Sequence, residues 1–408
     1  MERKVNTDDL KPGMYVSRLD RPWIETPFMF QGFYVQDFKD VQELQRHCHF
    51  VYIDIERGEP APRYLQAEQP QSLHSTLCAL CGDGKPGQRY PDDVSFEEEL
   101  ATAKETHGRA QELVNNIMDD VRAGRKLNAA GIREAAAGMI SSIVRNPDAF
   151  LWLARLKQAD TYTYSHAIAA CTLAVAFGRH LALPKAELSH VAVGTLLFDI
   201  GKMKLAPELL QHPGPLTTAQ FELVKSHVAH SVTLMESTPG VSREATEVAL
   251  HHHERHNGNG YPQGLANGAI SVYGRMAALV DCYDAITSDR AYARALSPYD
   301  AIHKLYQWRG VDFQEDLVEQ FIQCLGVFPV GTLVELSSGQ IGIVLAQNRV
   351  RRLRPKVMLV LDQNKQPYGI APTIDLMHDP EYGSDQPLSI VRPLEPGSYG
   401  IDPQQYYI

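Results

Sequence analysis

Residues 191–202, VAVGTLLFDIGK, decide how the middle of this chain folds. The apolar run that ends at Phe198 predicts a buried helix, and Asp199 follows it directly. A lone carboxylate is costly in apolar surroundings unless it is paired or binds a metal ion. Asp281 follows a second apolar run, residues 277–280. Two carboxylates that face one apolar core favour a metal centre.

Histidines are concentrated downstream of this stretch, where six of the sixteen fall within thirty positions. These six are His227, His230, His251, His252, His253 and His256. Imidazole is a common neutral ligand for first-row transition metals, and adjacent histidines can converge at the end of a helix. The histidines therefore point to the same metal centre as the two carboxylates.

The periodicity is helical over about residues 128–325, with breaks at prolines and glycines, which predicts an all-α core. Ser95 and Glu98 form a capping box, so a helix should begin there and run towards Arg122. Before it, turn signals and β-rich runs at 28–35 and 49–55 predict a small β-containing domain.

The end of the chain predicts a β module. Residues 332–336 and 340–345 resemble a hairpin around the turn 337–339, and residues 357–361 a further strand. We interpret the basic stretch 349–356 as a solvated turn rather than an anion site.

The sequence therefore predicts a mainly α protein of several domains. We expect a small β-containing domain over 1–60, a linker over 61–93, a helical domain with a leading helix over 94–325, and a β module and tail over 326–408.

Composition restricts the possible partners and the cellular location. The formal charge of −10 argues against general affinity for DNA or anionic membranes. The start of the chain lacks the apolar segment of an export signal, and the longest apolar stretch, about residues 167–177, is too short to cross a bilayer. We expect a cytoplasmic protein without membrane insertion. Six scattered cysteines fit a reducing compartment, and we interpret the Cys78–Cys81 pair as an inert loop pair rather than a zinc site.

Six segments carry a resemblance to a known family. They are YTYSH at 162–166, DIGK at 199–202, VKSH at 224–227, HHER at 252–255, GNGYP at 258–262 and DCYDAITSDR at 281–290. In order and approximate spacing they resemble the HD-GYP branch of the HD phosphohydrolase superfamily, over roughly residues 125–325. The resemblance implies an HD-type all-α core. The first segment of the chain also looks like the small domain of unknown function that often precedes such domains.

The resemblance implies a two-metal site. A first metal would be bound by His166, Asp199 and Asp281, and a second by Asp199, His227, His252 and His253, with Asp199 bridging. Two neighbouring cations can neutralise a phosphodiester and activate water. Imidazole and carboxylate ligands suit Fe, Mn or a similar divalent transition metal.

The resemblance also implies residues that handle the substrate. Asp199 and Lys202 would be catalytic, with Lys202 against a phosphate oxygen. Arg290 would bind the dinucleotide phosphate, and Tyr261 would help to shape the cleft. The neighbouring basic position of the family is occupied by Ala293 in this chain.

The chain departs from the family pattern at the His-Asp pair itself, which reads Phe198-Asp199. Because a phenyl ring cannot coordinate a metal, the first site keeps only His166 and two carboxylates, and its affinity or activity should fall by at least about 10–100-fold. The second site keeps four ligands, so one or two ions are expected. Tyr162 replaces the carboxylate that some members use for a third metal.

The function implied is hydrolysis of cyclic di-GMP to pGpG, and on to GMP if cleavage continues. The alternative is an impaired domain that senses cyclic di-GMP or docks a diguanylate cyclase (GGDEF) protein through Tyr261 and its neighbours. A third hypothesis is a hydrolase of another nucleotide, which the Gly-Tyr-Pro motif opposes. His230 and His251 are candidates to compensate for Phe198, although we favour their being ordinary polar side chains.

Overall fold

The structure is a computed structural model. It describes residues 2–20, 33–35, 38–54, 89–155, 162–210, 212, 214–289, 295–379 and 387–406. The chain divides into two compact units, Met1–Ser72 and Leu73–Ile408. Arg290, Ala293, the Cys78–Cys81 pair and most of the predicted linker lie outside the described residues.

The first unit is a small antiparallel sheet with one helix. Its elements are β1 (Glu2–Asn6), β2 (Tyr15–Leu19), β3 (Phe33–Tyr34), α1 (Phe38–His47) and β4 (Phe50–Asp54), and the strand order is β1-β4-β2-β3. The predicted strand at 49–55 is confirmed. Helix α1 was not predicted, although Val41 and Leu44 lie three positions apart and are both buried, a spacing typical of a helix.

The second unit is helical between residues 96 and 325, as predicted. Its helices are α2 (Phe96–Arg122), α3 (Ala129–Arg145), α4 (Pro147–Arg155), α5 (Tyr162–His180), α6 (Lys185–Leu197), α7 (Pro207–Leu210), α8 (Thr218–Glu236), α9 (Arg243–His251), α10 (Val272–Ile286), α11 (Pro298–Trp308) and α12 (Glu315–Leu325). A 3-10 turn, Ile200–Lys204, follows α6. Within the described residues, every helix falls short of the length and apolarity that a membrane crossing requires.

Side-chain caps fix where two of these helices begin. The Ser95 hydroxyl accepts from the Glu98 backbone N–H, and the Glu98 carboxylate accepts from the Ser95 N–H, so the predicted capping box is confirmed and α2 ends at Arg122. Thr217 and Gln220 form a second capping box, which starts α8. That cap sets the register of the helix that carries His227.

Four helices position most of the candidate site residues, and α8, which carries His227, packs on one of them, α9. Helix α5 packs on α6 and α10, and α9 packs on the same two helices. Their contact surfaces are apolar, with Phe177 and Phe198 fully buried. Because α6 and α9 end at Leu197 and His251, the residues that follow these ends lie next to the N-terminal part of α5 and the middle of α10. The packing therefore brings distant segments of the sequence to one place.

The C-terminal module is a five-stranded antiparallel sheet in the order β8-β7-β6-β5-β9. Its strands are β5 (Leu333–Leu336), β6 (Ile341–Ala346), β7 (Lys356–Leu361), β8 (Thr373–Asp375) and β9 (Ile390–Leu394). Strands β5 and β6 pair as the predicted hairpin, with Leu333 opposite Ile343. The predicted strand at 357–361 is also confirmed.

The sequence predicts a solvated turn for the basic stretch 349–356. The structure shows that this stretch also makes a buried contact. The Arg349 guanidinium donates to the buried Asp148 carboxylate of α4 at 2.8 Å, and the Gln347 backbone N–H donates to the same carboxylate at 2.8 Å. Burial raises the pKa of Asp148, and the Arg349 charge opposes that shift. A buried carboxylate needs such partners, so this stretch ties the β module to the helical core.

Gly201→Ala is expected to destabilise the second unit by at least about 2–3 kcal/mol, because overpacking against backbone cannot relax locally. A Cβ atom at Gly201 would lie 2.1 Å from the His227 carbonyl oxygen and 2.6 Å from the Ser231 backbone nitrogen, so α8 would have to move. Thermal unfolding measures the effect. Gly108→Ala is the matched control: the position is exposed on α2 with no heavy atom within 4 Å. There, the higher helix propensity of alanine should stabilise the folded state by about 0.5–1 kcal/mol. Equal melting shifts in the two variants would contradict the packing argument.

Candidate metal centre

Four side chains from three segments converge on one point. They are Asp199 after α6, His227 on α8, and His252 and His253 after α9. Each offers one ligand atom, and these atoms all lie within 4.8 Å of one another. These are the residues that the family resemblance implies for a second metal.

The hydrogen bonds of two imidazoles determine which ring nitrogens carry lone pairs. His227 Nδ1 lies 2.6 Å from the Val224 carbonyl oxygen, and His252 Nδ1 lies 2.7 Å from that of Ala249. A carbonyl oxygen can only accept a hydrogen bond, so both Nδ1 atoms carry the proton. In the neutral rings, both Nε2 atoms therefore carry a lone pair. Backbone carbonyls hold metal-ligating histidines in this way.

The acceptors of the cluster face one another with no donor between them. The Nε2 atoms of His227 and His252 are 3.4 Å apart, and they lie 3.2 and 3.7 Å from Asp199 Oδ1. Among the described residues, this buried oxygen has no hydrogen-bond partner. Acceptors cannot satisfy one another, and a buried unsatisfied carboxylate oxygen is costly. The arrangement therefore fits a bound cation.

The electrostatics of the cluster also favour a bound cation. Although burial opposes its charge, the Lys202 ammonium holds the pKa of Asp199 well below its usual range. Burial lowers the pKa of His227, and burial together with the neighbouring His252 lowers the pKa of His253. One charged carboxylate and neutral imidazoles are the ligand forms that a divalent transition metal requires.

His166 lies beside this cluster. Its Nε2 is 3.1 Å from Asp281 Oδ1 and 3.5 Å from Asp199 Oδ2, and its Nδ1 is 2.7 Å from Asp284 Oδ2. Burial opposes protonation, but hydrogen bonds to Asp281 and Asp284 raise the pKa of His166 to about 9. The hydrogen bond with His166 also lowers the pKa of Asp281, although burial acts in the opposite direction.

Asp284 was not singled out from the sequence, although it lies within one of the family segments. Its position three residues after Asp281 on one helix was the available signal, because such residues share a helix face. Its carboxylate fixes the orientation of the His166 ring, which leaves Nε2 directed at Asp281 and Asp199.

Phe198 occupies the place of the missing histidine. The ring is fully buried and stacks on the His166 ring, with centroids 5.4 Å apart and planes at 20°. Its centroid also lies 4.8 Å from that of His252. The phenyl group therefore fills the space beside both imidazoles and contributes no lone pair to the His166 side.

Lys202 lies three residues after Asp199 and forms an ion pair with it. Helix α6 ends at Leu197, and Lys202 lies on the 3-10 turn that follows. The tighter turn brings the ammonium within 2.5 Å of Asp199 Oδ2. The Lys202 side chain is 21% exposed, so the ammonium lies at the edge of the site.

The Gly-Tyr-Pro loop covers one side of the cluster. The Tyr261 ring lies 4.6 Å from the His253 ring, and burial with the nearby Asp281 and Asp199 charges raises the pKa of its hydroxyl. Glu254, which was not assigned a role from the sequence, is buried and accepts from the backbone N–H groups of Gln263 and Leu265 at 2.7 and 2.9 Å. Glu254 therefore fixes the loop that carries Tyr261.

The side chains of the cluster differ in their exposure to solvent. The side chains of His227 and His252 are 0% exposed, whereas those of His253 and Asp281 are 16% and 12% exposed. His253, Asp281 and Tyr261 therefore lie on the more exposed side of the cluster. His230 is exposed on α8, and His251 Nδ1 lies 3.1 Å from the Ser271 hydroxyl, so neither belongs to the cluster.

Glu254→Gln is expected to loosen the loop without unfolding the protein. The amide keeps one acceptor oxygen, so one of the two backbone N–H groups loses its partner, which costs about 1–3 kcal/mol locally. Amide hydrogen exchange at residues 263–265 should then speed up roughly 5- to 100-fold. Glu236→Gln, at an exposed position, is the control for the charge change. Unchanged exchange at these amides would contradict the role given to Glu254.

Comparison with known protein families matches three parts of the chain. Residues 2–132 match a domain of unknown function (DUF3391), residues 147–316 match the HD domain, and residues 333–397 match the KOW domain associated with the HD domain. The first match confirms the resemblance noted for the start of the chain.

Curated relatives share much of the length. The cyclic di-GMP phosphodiesterase PA4108 of Pseudomonas aeruginosa is 35% identical over 359 residues, which is 88% of this chain and 84% of that protein. The 3'3'-cGAMP-specific phosphodiesterase 3 of Vibrio cholerae is 31% identical, and the match covers 60% of this chain and 60% of that protein. Among solved structures, Bd1817, an HDG"Y"P protein from Bdellovibrio bacteriovorus, covers 79% of this chain and 98% of its own, at 14% identity and a TM-score of 0.47.

Proposed function

The chain belongs to the HD-GYP family, and from this premise we propose that it is a metal-dependent phosphodiesterase that hydrolyses cyclic di-GMP to pGpG. The observation that carries the proposal is the group of buried acceptors around Asp199 Oδ1, which fits a cation. The name of the Pseudomonas relative supports the choice of substrate.

In this proposal Asp199, His227, His252 and His253 hold one divalent ion, of iron, manganese or a similar metal. When bound, such an ion supplies positive charge that polarises a phosphodiester and activates water. Phe198 is an argument for a single bound ion. The His166 side keeps one imidazole and two carboxylates, and the phenyl ring adds no further ligand.

The remaining residues bind and orient the substrate. The Lys202 ammonium is partly exposed at the edge of the cluster and would contact a phosphate oxygen. The Tyr261 hydroxyl has no hydrogen-bond acceptor among the described residues and would donate to the substrate. His166 is held beside the cluster by Asp281 and Asp284. Arg290 stays a prediction for the dinucleotide phosphate.

A second candidate function rests on Phe198. If the His166 side must bind a metal for turnover, the domain would bind cyclic di-GMP without cleaving it and would act as a sensor or as a docking module for a GGDEF protein. The buried phenyl ring that contacts His166 favours this candidate.

Turnover by the purified chain distinguishes the two functions. Metal per chain is measured by mass spectrometry, and cyclic di-GMP is followed by chromatography with Mn²⁺ or Fe²⁺ added. We expect pGpG to accumulate and a chelator to stop the reaction. A parallel assay with 3'3'-cGAMP tests the third hypothesis. Binding without any product would favour the sensor, and neither binding nor product would refute both candidates.

A further inference from the structure

An aromatic surface next to the metal centre extends from Tyr261 to residues that have no role in the chemistry above. We call Phe221, Lys225 and Tyr261 the stacking surface. Phe221 lies on α8 and is 42% exposed, and its ring contacts that of Tyr261 at a centroid distance of 6.1 Å and an angle of 81°. Since Tyr261 in turn packs on His253, a row of rings runs from the cluster to the solvent.

A cation lies over this row of rings. Lys225 Nζ is 4.9 Å from the centroid of Phe221 and 5.4 Å from that of Tyr261. Its ion pair with Glu222 is 2.8 Å long, but the Glu222 side chain is 61% exposed, and such surface pairs are weak. The ammonium can therefore exchange Glu222 for another anion beside a half-exposed aromatic ring.

We propose that Phe221 holds one nucleobase of the substrate by stacking, while Lys225 attracts the adjoining phosphate. Every base offers a flat π-face to an aromatic side chain, and ammonium groups attract phosphates. The inference rests on the proposed function, because it assumes that a cyclic dinucleotide reaches the cluster. A small phosphodiester without bases would reach only the cluster and gain nothing from Phe221.

The stacking surface has a consequence for specificity. Stacking on an aromatic ring tolerates any base, because it does not read hydrogen-bonding groups. Phe221 should therefore favour cyclic dinucleotides over small diesters, and it should contribute similarly to the binding of cyclic di-GMP and 3'3'-cGAMP.

Phe221→Ala is the test, with initial rates measured over a range of cyclic di-GMP concentrations. We expect KM to rise about 10-fold, since stacking of one base contributes on that scale, with metal content unchanged and kcat affected less than KM. Phe221→Trp should restore KM, and cyclic di-GMP should quench the fluorescence of the added tryptophan. Leu223→Ala is the matched control: Leu223 is 58% exposed on the same helix and should leave KM unchanged.

The outcomes separate the two proposals. If the wild-type chain hydrolyses cyclic di-GMP and Phe221→Ala keeps its KM, the stacking surface is refuted and the proposed function stands. If the wild type binds without turnover, Kd from equilibrium dialysis replaces KM, and the same comparison applies. If Phe221→Ala loses a protein partner but keeps dinucleotide affinity, the surface is a docking site and the inference is wrong. Absence of both binding and hydrolysis in the wild type would refute both proposals.

Discussion

Asp199→Asn is expected to abolish metal binding and turnover while the fold is retained. The carboxylate supplies the charge at the centre of the cluster, and its Oδ1 faces the Nε2 atoms of His227 and His252. Loss of even a supporting contact in a metal site typically costs about 10–100-fold in affinity, so loss of this ligand should cost at least about 100-fold. Metal per chain and cyclic di-GMP turnover measure the effect.

The same variant should remain as stable as the wild type when no metal is present. An asparagine N–H can donate to one of the facing Nε2 atoms, so the acceptors are satisfied without a cation. Lys202 loses its charged partner, but its side chain is 21% exposed and can be hydrated. Asp119→Asn, at an exposed carboxylate on α2, is the control. Wild-type metal content in Asp199→Asn would contradict the assignment.

Phe198→His should raise the metal content towards two ions per chain and turnover by about 10–100-fold. The new imidazole would stand where the phenyl ring now lies, with its centre about 5 Å from the His166 ring, and would add the donor that the His166 side lacks. Without metal the variant should be less stable by about 1–3 kcal/mol, because it buries an unsatisfied nitrogen. Added Mn²⁺ should restore the melting temperature by mass action.

Phe198→Leu is the control for this substitution, because it also removes the ring contacts but offers no lone pair. Equal metal content and equal turnover in the histidine and leucine variants would contradict the account of the His166 side. If the wild type is inactive and Phe198→His creates activity, the sensor function is correct. If the wild type already turns over well and Phe198→His changes little, one ion suffices.

Local signals made most of the fold predictable. The Ser95 capping box, the apolar run before Asp199 and the turn at 337–339 each act within a few residues, and the structure contains the helix, the buried helix end and the hairpin that they predict. Helix α1 escaped prediction because it lies between β-rich runs, although Val41 and Leu44 have helical spacing. The role of Arg349 escaped because its partner, Asp148, lies 201 positions away.

Part of the candidate site could likewise be predicted from the sequence, and part could not. Histidine spacing and family segments brought out the residues that the structure places together, with His166 next to them. Asp284 and Glu254 were missed because their roles depend on contacts that no local pattern encodes: Asp284 meets His166 across 118 positions, and Glu254 accepts from loop amides. Lys202 reaches Asp199 from the 3-10 turn that follows α6.

Anomalous diffraction from crystals of the manganese- or iron-loaded protein shows directly where the ion binds. We expect one strong peak within coordinating distance of Asp199 Oδ1 and the Nε2 atoms of His227 and His252. A fully loaded protein whose only peak lies away from these three atoms, or crystals with no peak after loading, would contradict this expectation.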